Sequence, residues 1–198
     1  MKQVFLYKDK DDFQVWNELK NGNSFSFELI YKKHYELLYN YGLNIVKEKA
    51  IVEDAIQELF IKIWKRKEKL GDVHSIRFYL LVSYRRLLLK KIVKAKKLLM
   101  DELNENNDVT VDSFEQVLIT NQSNTETKKL LAKNIGKLSP RQKEIIYLKF
   151  YKSLSYQEIS VIMGINNQSV RNLIFEAIRN LKEHLLKKDS HKEHTKSK

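Results

Sequence analysis

The 198 residues carry a formal net charge of +12, which makes polyanions the expected partners, nucleic acid first among them. There is no cysteine, which excludes disulfides and thiolate metal sites; the five histidines are scattered, so neither a metal nor a cofactor is expected. Five glycines and one proline among many Lys, Leu, Ile and Glu point to an all-α protein, and the absence of a membrane-length apolar run or signal-peptide pattern points to a cytoplasmic one.

In chain order, the first predicted helix runs from about Asp12 to Lys20 and is stopped by Asn21-Gly22. The second, about Ser26 to Val46, carries Phe27, Ile30, Tyr31, His34, Leu37, Leu38, Tyr41 and Ile45 at helical spacing. The third, about Ala50 to Glu68, places Val52, Ala55, Ile56, Leu59 and Ile63 on one face. Its opposite side shows Asp54, Gln57, Glu58 and Ile61. An exposed isoleucine among carboxylates suits the basic surface of a protein partner better than DNA, although periodicity alone favours an ordinary solvated face.

The fourth predicted helix, about Ser75 to Lys97, packs through Ile76, Tyr79, Leu80, Ser83 and Leu87 and turns its cations outward. From Arg77 to Lys97 there is no acidic residue, and from Leu98 to Asn121 there is no Lys or Arg. This inversion divides the chain into a helical domain over 1–97, a flexible acidic linker over 98–124, a second helical domain over 125–188 and a basic tail over 189–198.

The second domain reads as a helix-turn-helix. Ser139, Pro140 and Gln142 form an N-cap, a first-turn proline and a capping box, and Ser155 with Glu158 forms another. The helix from Tyr156 to Met163 ends at Gly164, where a sharp turn needs positive φ. Asn166 caps the third helix, predicted from about Asn167 to Leu186, and Ile159, Met163, Ile165, Val170, Leu173 and Ile174 supply the core. That leaves Asn167, Gln168, Ser169, Arg171, Asn172 and Phe175 on the outer and N-terminal faces; Asn, Gln and Arg can make paired hydrogen bonds to base edges in a major groove. The alternative is a helical hairpin used only for packing. No His/Asp/Ser arrangement, phosphate loop or metal-ligand spacing rises above background, so neither catalysis nor a small-molecule substrate is expected.

The run Asp54, Gln57, Glu58, Phe60, Trp64 resembles region 2.2 of bacterial sigma factors, and the helix from Phe27 to Val46 resembles region 2.1. Phe78-Tyr79-Leu80 through Lys97 is similar to regions 2.3 and 2.4, and Leu138-Ser139-Pro140-Arg141-Gln142 onward to region 4. Two such domains with only a short linker between them resemble the extracytoplasmic-function (ECF) branch of the family.

The resemblance implies a dissociable promoter-recognition subunit. Region 2.2 docks on the largest subunit of core RNA polymerase, a role that falls to Asp54, Gln57, Glu58 and Ile61, with Phe60 and Trp64 in the core. The loop before the fourth helix, about Lys69 to Ser75, would capture an unstacked base of the minus-ten element, and Arg77, Tyr84, Arg85, Arg86, Lys90 and Lys94 would line the melted strand. The Asn167 to Arg179 helix would read the minus-thirty-five element as duplex. The chain departs from the family in having Arg85-Arg86 and Lys90 where an Arg-Asn pair and an Asp are usual, which makes that face more basic. It also has Leu173 and Glu176 where recognition helices often carry cations, so the base contacts shift to Arg171 and Asn172. An anti-sigma factor is a further implied partner. The acidic linker would either thread a channel meant for RNA or act as a plain tether. Outside the resemblance, an autonomous helix-turn-helix regulator is the remaining reading.

Overall fold

A computed structural model of the protein describes residues 11–102, 131 and 133–193, with side-chain surroundings for 11–97, 131 and 133–183. Among the described residues all regular structure is helical, as the composition requires. The chain splits into two compact units, Met1–Asn104 and Glu105–Lys198.

The first unit packs four helices: α1 (Asp12–Lys20), α2 (Ser24–Leu43), α3 (Lys49–Lys65) and α4 (Ile76–Glu102), with one 3-10 turn at Lys67–Lys69. Asp11 caps α1 by accepting from the Gln14 N–H at 2.8 Å. The cap of α2 is Asn23, whose side chain accepts from the Phe25 and Ser26 amides. The helix therefore starts at Ser24, earlier than the expected Ser26, which is instead buried and donates its hydroxyl to Glu18 at 2.5 Å. The core is built by Val15, Trp16 and Leu19 from α1, Ile30, Leu38 and Tyr41 from α2, Val52, Ile56, Leu59 and Ile63 from α3, and Ile76, Leu80, Leu81 and Leu88 from α4.

Gly42 is the point of closest approach. A Cβ there would collide with the Tyr84 hydroxyl and stand 2.9 Å from Val52 Cγ1, so α2 meets both α3 and α4 at this position only because it lacks a side chain. The fourth helix does not stop at Lys97. It continues through Asp101 to Glu102, so the start of the expected acidic linker is helical; 103–124 lies outside the described residues.

The second unit contains α5 (Pro140–Ile146), α6 (Tyr156–Met163) and α7 (Asn167–Glu193). Both expected capping boxes form. The Gln142 N–H donates to Ser139 Oγ at 3.3 Å and the Ser139 N–H to Gln142 Oε1 at 3.2 Å; the Ser155–Glu158 pair repeats the motif at 3.2 and 2.8 Å. Gln142 Oε1 also accepts from Asn180 Nδ2 at 3.4 Å, tying α5 to α7.

The helix opened at Pro140 keeps α geometry only to Ile146. After Ile146 the chain widens into a π turn over Tyr147–Tyr151, and Ser153 takes a positive φ of 54°. This detour keeps Leu148 and Leu154 buried while Phe150 and Tyr151 stay exposed. Gly164 closes α6 in the left-handed region at φ 65°, and Asn166 caps α7 by accepting from the Ser169 N–H at 2.7 Å. Ile159, Met163, Val170 and Ile174 are buried as expected, joined by Ile162; Ile165 and Leu173 are half-buried. The last helix runs to Glu193, past the expected Leu186 and into the segment expected to be tail.

Candidate functional site

The outward face of α3 presents the four residues expected there. Asp54 and Gln57 are exposed, Ile61 is 52 % exposed and Glu58 is half-buried. Phe60 is buried and Trp64 half-buried; both pack against Phe27 of α2, with ring centroids 5.8 and 5.0 Å apart.

The carboxylates are engaged within the unit. Lys91 of α4 reaches Asp54 Oδ2 and Glu58 Oε2, each at 2.5 Å, and Lys62 reaches Glu58 Oε1 at 2.5 Å. Hydrogen bonds from Lys62 and then Lys91 hold the Glu58 carboxyl down to about 2. Burial opposes the charge on Lys91, yet hydrogen bonds to Asp54 and Glu58 overcome it and keep its ammonium above the ordinary range. Lys91, counted in the sequence only as one more cation, thus pins α3 to α4 and orients the acids. A pairing across 37 positions has no local signature.

Between α3 and α4 lies a groove of about 590 Å³. Lys62, Lys65, Arg66, Lys69, Arg86 and Lys90 line it, with Tyr79 and Ser83 on one wall and Leu59, Ile63, Leu70 and Leu87 in its floor; no carboxylate is among the lining residues. Such a lining suits an anion that also carries a flat apolar surface, as a nucleotide does. Lys65 and Arg66 were not singled out in the sequence: they are the last residue of α3 and its C-cap, and their meeting with α4 at the groove is a matter of packing.

The expected strand-lining residues divide into three groups. Arg86, Lys90 and Lys94 are exposed on α4. Arg77 and Arg85 are half-buried. The Nε of Arg77 lies inside the unit, and its charge adds to the burial and the Lys33 charge that lower the neighbouring His34 to about 4. Tyr84 must be removed from the set: it has no exposed surface, and its hydroxyl reaches the Val52 carbonyl oxygen at 3.4 Å. Tyr84 falls four residues after Leu80 and three before Leu87, on the buried stripe of α4 rather than its cationic side.

In the second unit, Asn167, Gln168, Arg171, Asn172, Phe175 and Arg179 are exposed on α7, while Ser169 is half-buried beside the cap. Gln168 Nε2 donates to Asn172 Oδ1 at 3.0 Å, holding the two amides side by side on consecutive turns. Arg179 stands 4.0 Å from Glu183. Tyr156 at the start of α6 has the Lys149 ammonium 4.5 Å and the Arg171 guanidinium 5.9 Å from its ring centroid. Lys149 and Tyr156 therefore extend the cationic surface beyond α7. Lys149 lies in the π turn, whose geometry the sequence did not reveal.

Among the described residues no group of His, Asp and Glu is placed to hold a metal ion, and no helix is long and apolar enough to cross a membrane.

The described residues thus form a helical protein with a cationic groove on its four-helix unit and a capped helix-turn-helix in the other. Residues 30–98 match the Sigma-70 region 2 family and residues 129–181 match Sigma-70, region 4, so the two matches take in more than half of the chain. The ECF RNA polymerase sigma factor SigM of Bacillus subtilis (strain 168) is 25 % identical over 153 residues, covering 77 % of this chain and 91 % of that protein. RNA polymerase sigma factor YlaC of the same organism is 24 % identical over 165 residues, covering 82 % and 93 %.

The fold is similar to the sigma factor RpoE of Bartonella quintana, solved in complex with the anti-sigma factor NepR, at a TM-score of 0.61 and 18 % identity over 80 % of this chain and 96 % of that one. It is also similar to CnrH, solved in complex with the cytosolic domain of CnrY, at a TM-score of 0.56 and 19 % identity over 90 % and 98 %. The chain belongs to the sigma-70 family, in its ECF branch, and is a sigma factor that directs transcription initiation at promoters.

Proposed function

We propose that a functional domain over 1–97, within the first unit, clips the chain to core RNA polymerase through α3 and holds the opened minus-ten element in the groove between α3 and α4. A second domain over 125–188, within the second unit, reads the minus-thirty-five element as duplex. The observation that carries this division is the adjacency of two opposite chemistries on one small unit: a ridge of Asp54, Gln57, Glu58 and Ile61 beside a groove lined by six cations and no acid.

The ridge and the groove meet at Lys62, which neutralises Glu58 and lines the groove. Both oxygens of Glu58 are engaged internally, so the side chains offered outward are Asp54, Gln57 and Ile61. A basic polymerase surface must share Asp54 with Lys91, while Ile61 supplies apolar area that costs nothing to desolvate.

In the groove, Tyr79 and the leucines offer a face for one base, and the rim cations neutralise the phosphates on either side. Arg86, Lys90 and Lys94 continue that track along α4, with Arg77 and Arg85 set further in. In the second unit, Asn167, Gln168, Arg171 and Asn172 contact base edges; Ser169, Phe175 and Arg179 flank them. Lys149 and Tyr156 add a phosphate contact at the groove's edge.

The chain performs no catalysis of its own and works in the cytoplasm, where the polymerase is. The similarity to the sigma factor RpoE, solved in complex with the anti-sigma factor NepR, supports a dedicated anti-sigma factor as a third partner.

Run-off transcription tests the proposal. Core polymerase with this chain is expected to start transcripts at a defined promoter. Introducing Ile61→Asp is expected to abolish both initiation and retention on immobilised core polymerase, with circular dichroism unchanged. Initiation that proceeds equally without the chain would refute the reading.

A further inference from the structure

We infer that α1, which precedes the segment matching region 2, braces the loop between α3 and α4, and that Trp16 is a positioning residue for recognition of the minus-ten element. The inference rests on the reading of that loop and groove as the minus-ten contact.

Loop 70–75 has no regular structure to fix its shape, and α1 holds it at three points. Trp16 Nε1 donates to the Gly71 carbonyl at 2.9 Å. Lys20 Nζ pairs with Asp72 Oδ1 at 2.6 Å. Where the loop ends, Asp12 Oδ2 accepts from the Ile76 N–H at 3.0 Å, satisfying one of the amides left unpaired at the start of α4, while Ser75 Oγ accepts from the Phe78 N–H at 3.3 Å. Between these ties only Val73 to Ser75 span the gap, with His74 exposed at the turn.

Trp16 also reaches the groove. Its ring has no exposed surface and meets Tyr79 edge-on, with centroids 5.0 Å apart, and Tyr79 forms part of the groove wall. One side chain therefore fixes a loop carbonyl through its N–H and a groove aromatic through its ring. Rigid support of this kind determines whether a recognition surface discriminates between ligands or merely binds them. The Lys20–Asp72 pair is exposed and contributes less, so the Trp16 hydrogen bond carries most of the effect.

Trp16→Phe in the full chain removes the N–H and keeps a ring. The variant is assembled with core polymerase, and run-off is measured on promoters substituted base by base in each element. Discrimination at minus-ten positions is expected to fall about fivefold, as loss of one part-buried hydrogen bond would give. Discrimination at minus-thirty-five positions and retention on core polymerase are expected to stay as they are, and amides 71–75 are expected to exchange faster with deuterium. Lys20→Met, which leaves the core intact, is expected to give about a twofold loss at the same positions.

Unchanged minus-ten discrimination in both variants, with the wild type discriminating normally, would overturn the brace alone. An equal loss at both elements would show that Trp16 serves only stability. A wild-type chain indifferent to every minus-ten substitution would refute the groove reading and the brace with it.

Discussion

The two DNA-facing surfaces solve different problems with different side chains. On α4 and around its groove the working groups are lysines and arginines without neighbouring acids among the lining residues, a surface that holds phosphates whatever the sequence. On α7 they are two amides bonded to each other, a further asparagine and one arginine, chosen for hydrogen-bond pattern rather than charge. The first surface exists only because four helices pack; the second rests on caps encoded within a few residues. This contrast separates gripping a strand from reading a duplex.

The largest effect expected from breaking the comparison comes from the packing side. Tyr84→Ala should cost the first unit about 3–5 kcal/mol, as truncation of a buried aromatic does, and leave the second unit's transition unmoved in thermal denaturation. Tyr84→Phe should keep promoter contact intact, which would confirm that Tyr84 faces the core rather than the strand.

Next is acid sensitivity of the first unit. Burial, then the Lys33 charge, lowers His34 from 6.5 to about 4, so the unfolded chain takes up the proton first. Stability is complete above pH 6.5 and should fall by about 2–3 kcal/mol as pH drops from 6.5 towards 4. Glu58, lowered from 4.5 to about 2, adds a second loss below pH 4.5. His34→Phe should remove the first slope and leave the second, measured by urea unfolding across pH.

Smaller again, and the sharpest probe of the contrast, are substitutions on the two DNA faces. Asn172→Ala or Arg171→Ala should cost about 1–3 kcal/mol on the preferred minus-thirty-five sequence and little on others. Arg86→Ala or Lys90→Ala should weaken holoenzyme binding on every sequence and lower the salt slope by roughly 0.7 for each lost contact to single strand.

How much could be read from the sequence follows the same division. Both capping boxes, the Gly164 turn and the Asn166 cap are local, and each formed where its residues stand. Helical spacing placed Asp54, Gln57, Glu58 and Ile61 on the outer side of α3, but spacing alone gave that side no role; the docking role came from the resemblance. Tyr84 was misplaced because it sits next to Arg85 and Arg86 in the chain, while the turn of the helix carries it to the opposite side. The Lys91 clamp on Asp54 and Glu58, the convergence of Lys65 and Arg66 on Arg86, and the Trp16 tie to Gly71 all join residues distant in the chain. Spacing rules end where such tertiary pairing begins. The π turn was hidden for another reason: the spacing of Tyr147 to Tyr151 has no mark that separates a π turn from an α-helix, and only the fold shows that the widened turn goes with burial of both Leu148 and Leu154.

The most direct test is to titrate one fluorescent promoter duplex with the purified chain, with and without core polymerase. Weak, sequence-indifferent binding by the chain alone, becoming tight and promoter-specific once polymerase is present, is the predicted result. Tight, specific binding by the chain alone, unaffected by polymerase, would contradict the account and identify an autonomous helix-turn-helix regulator.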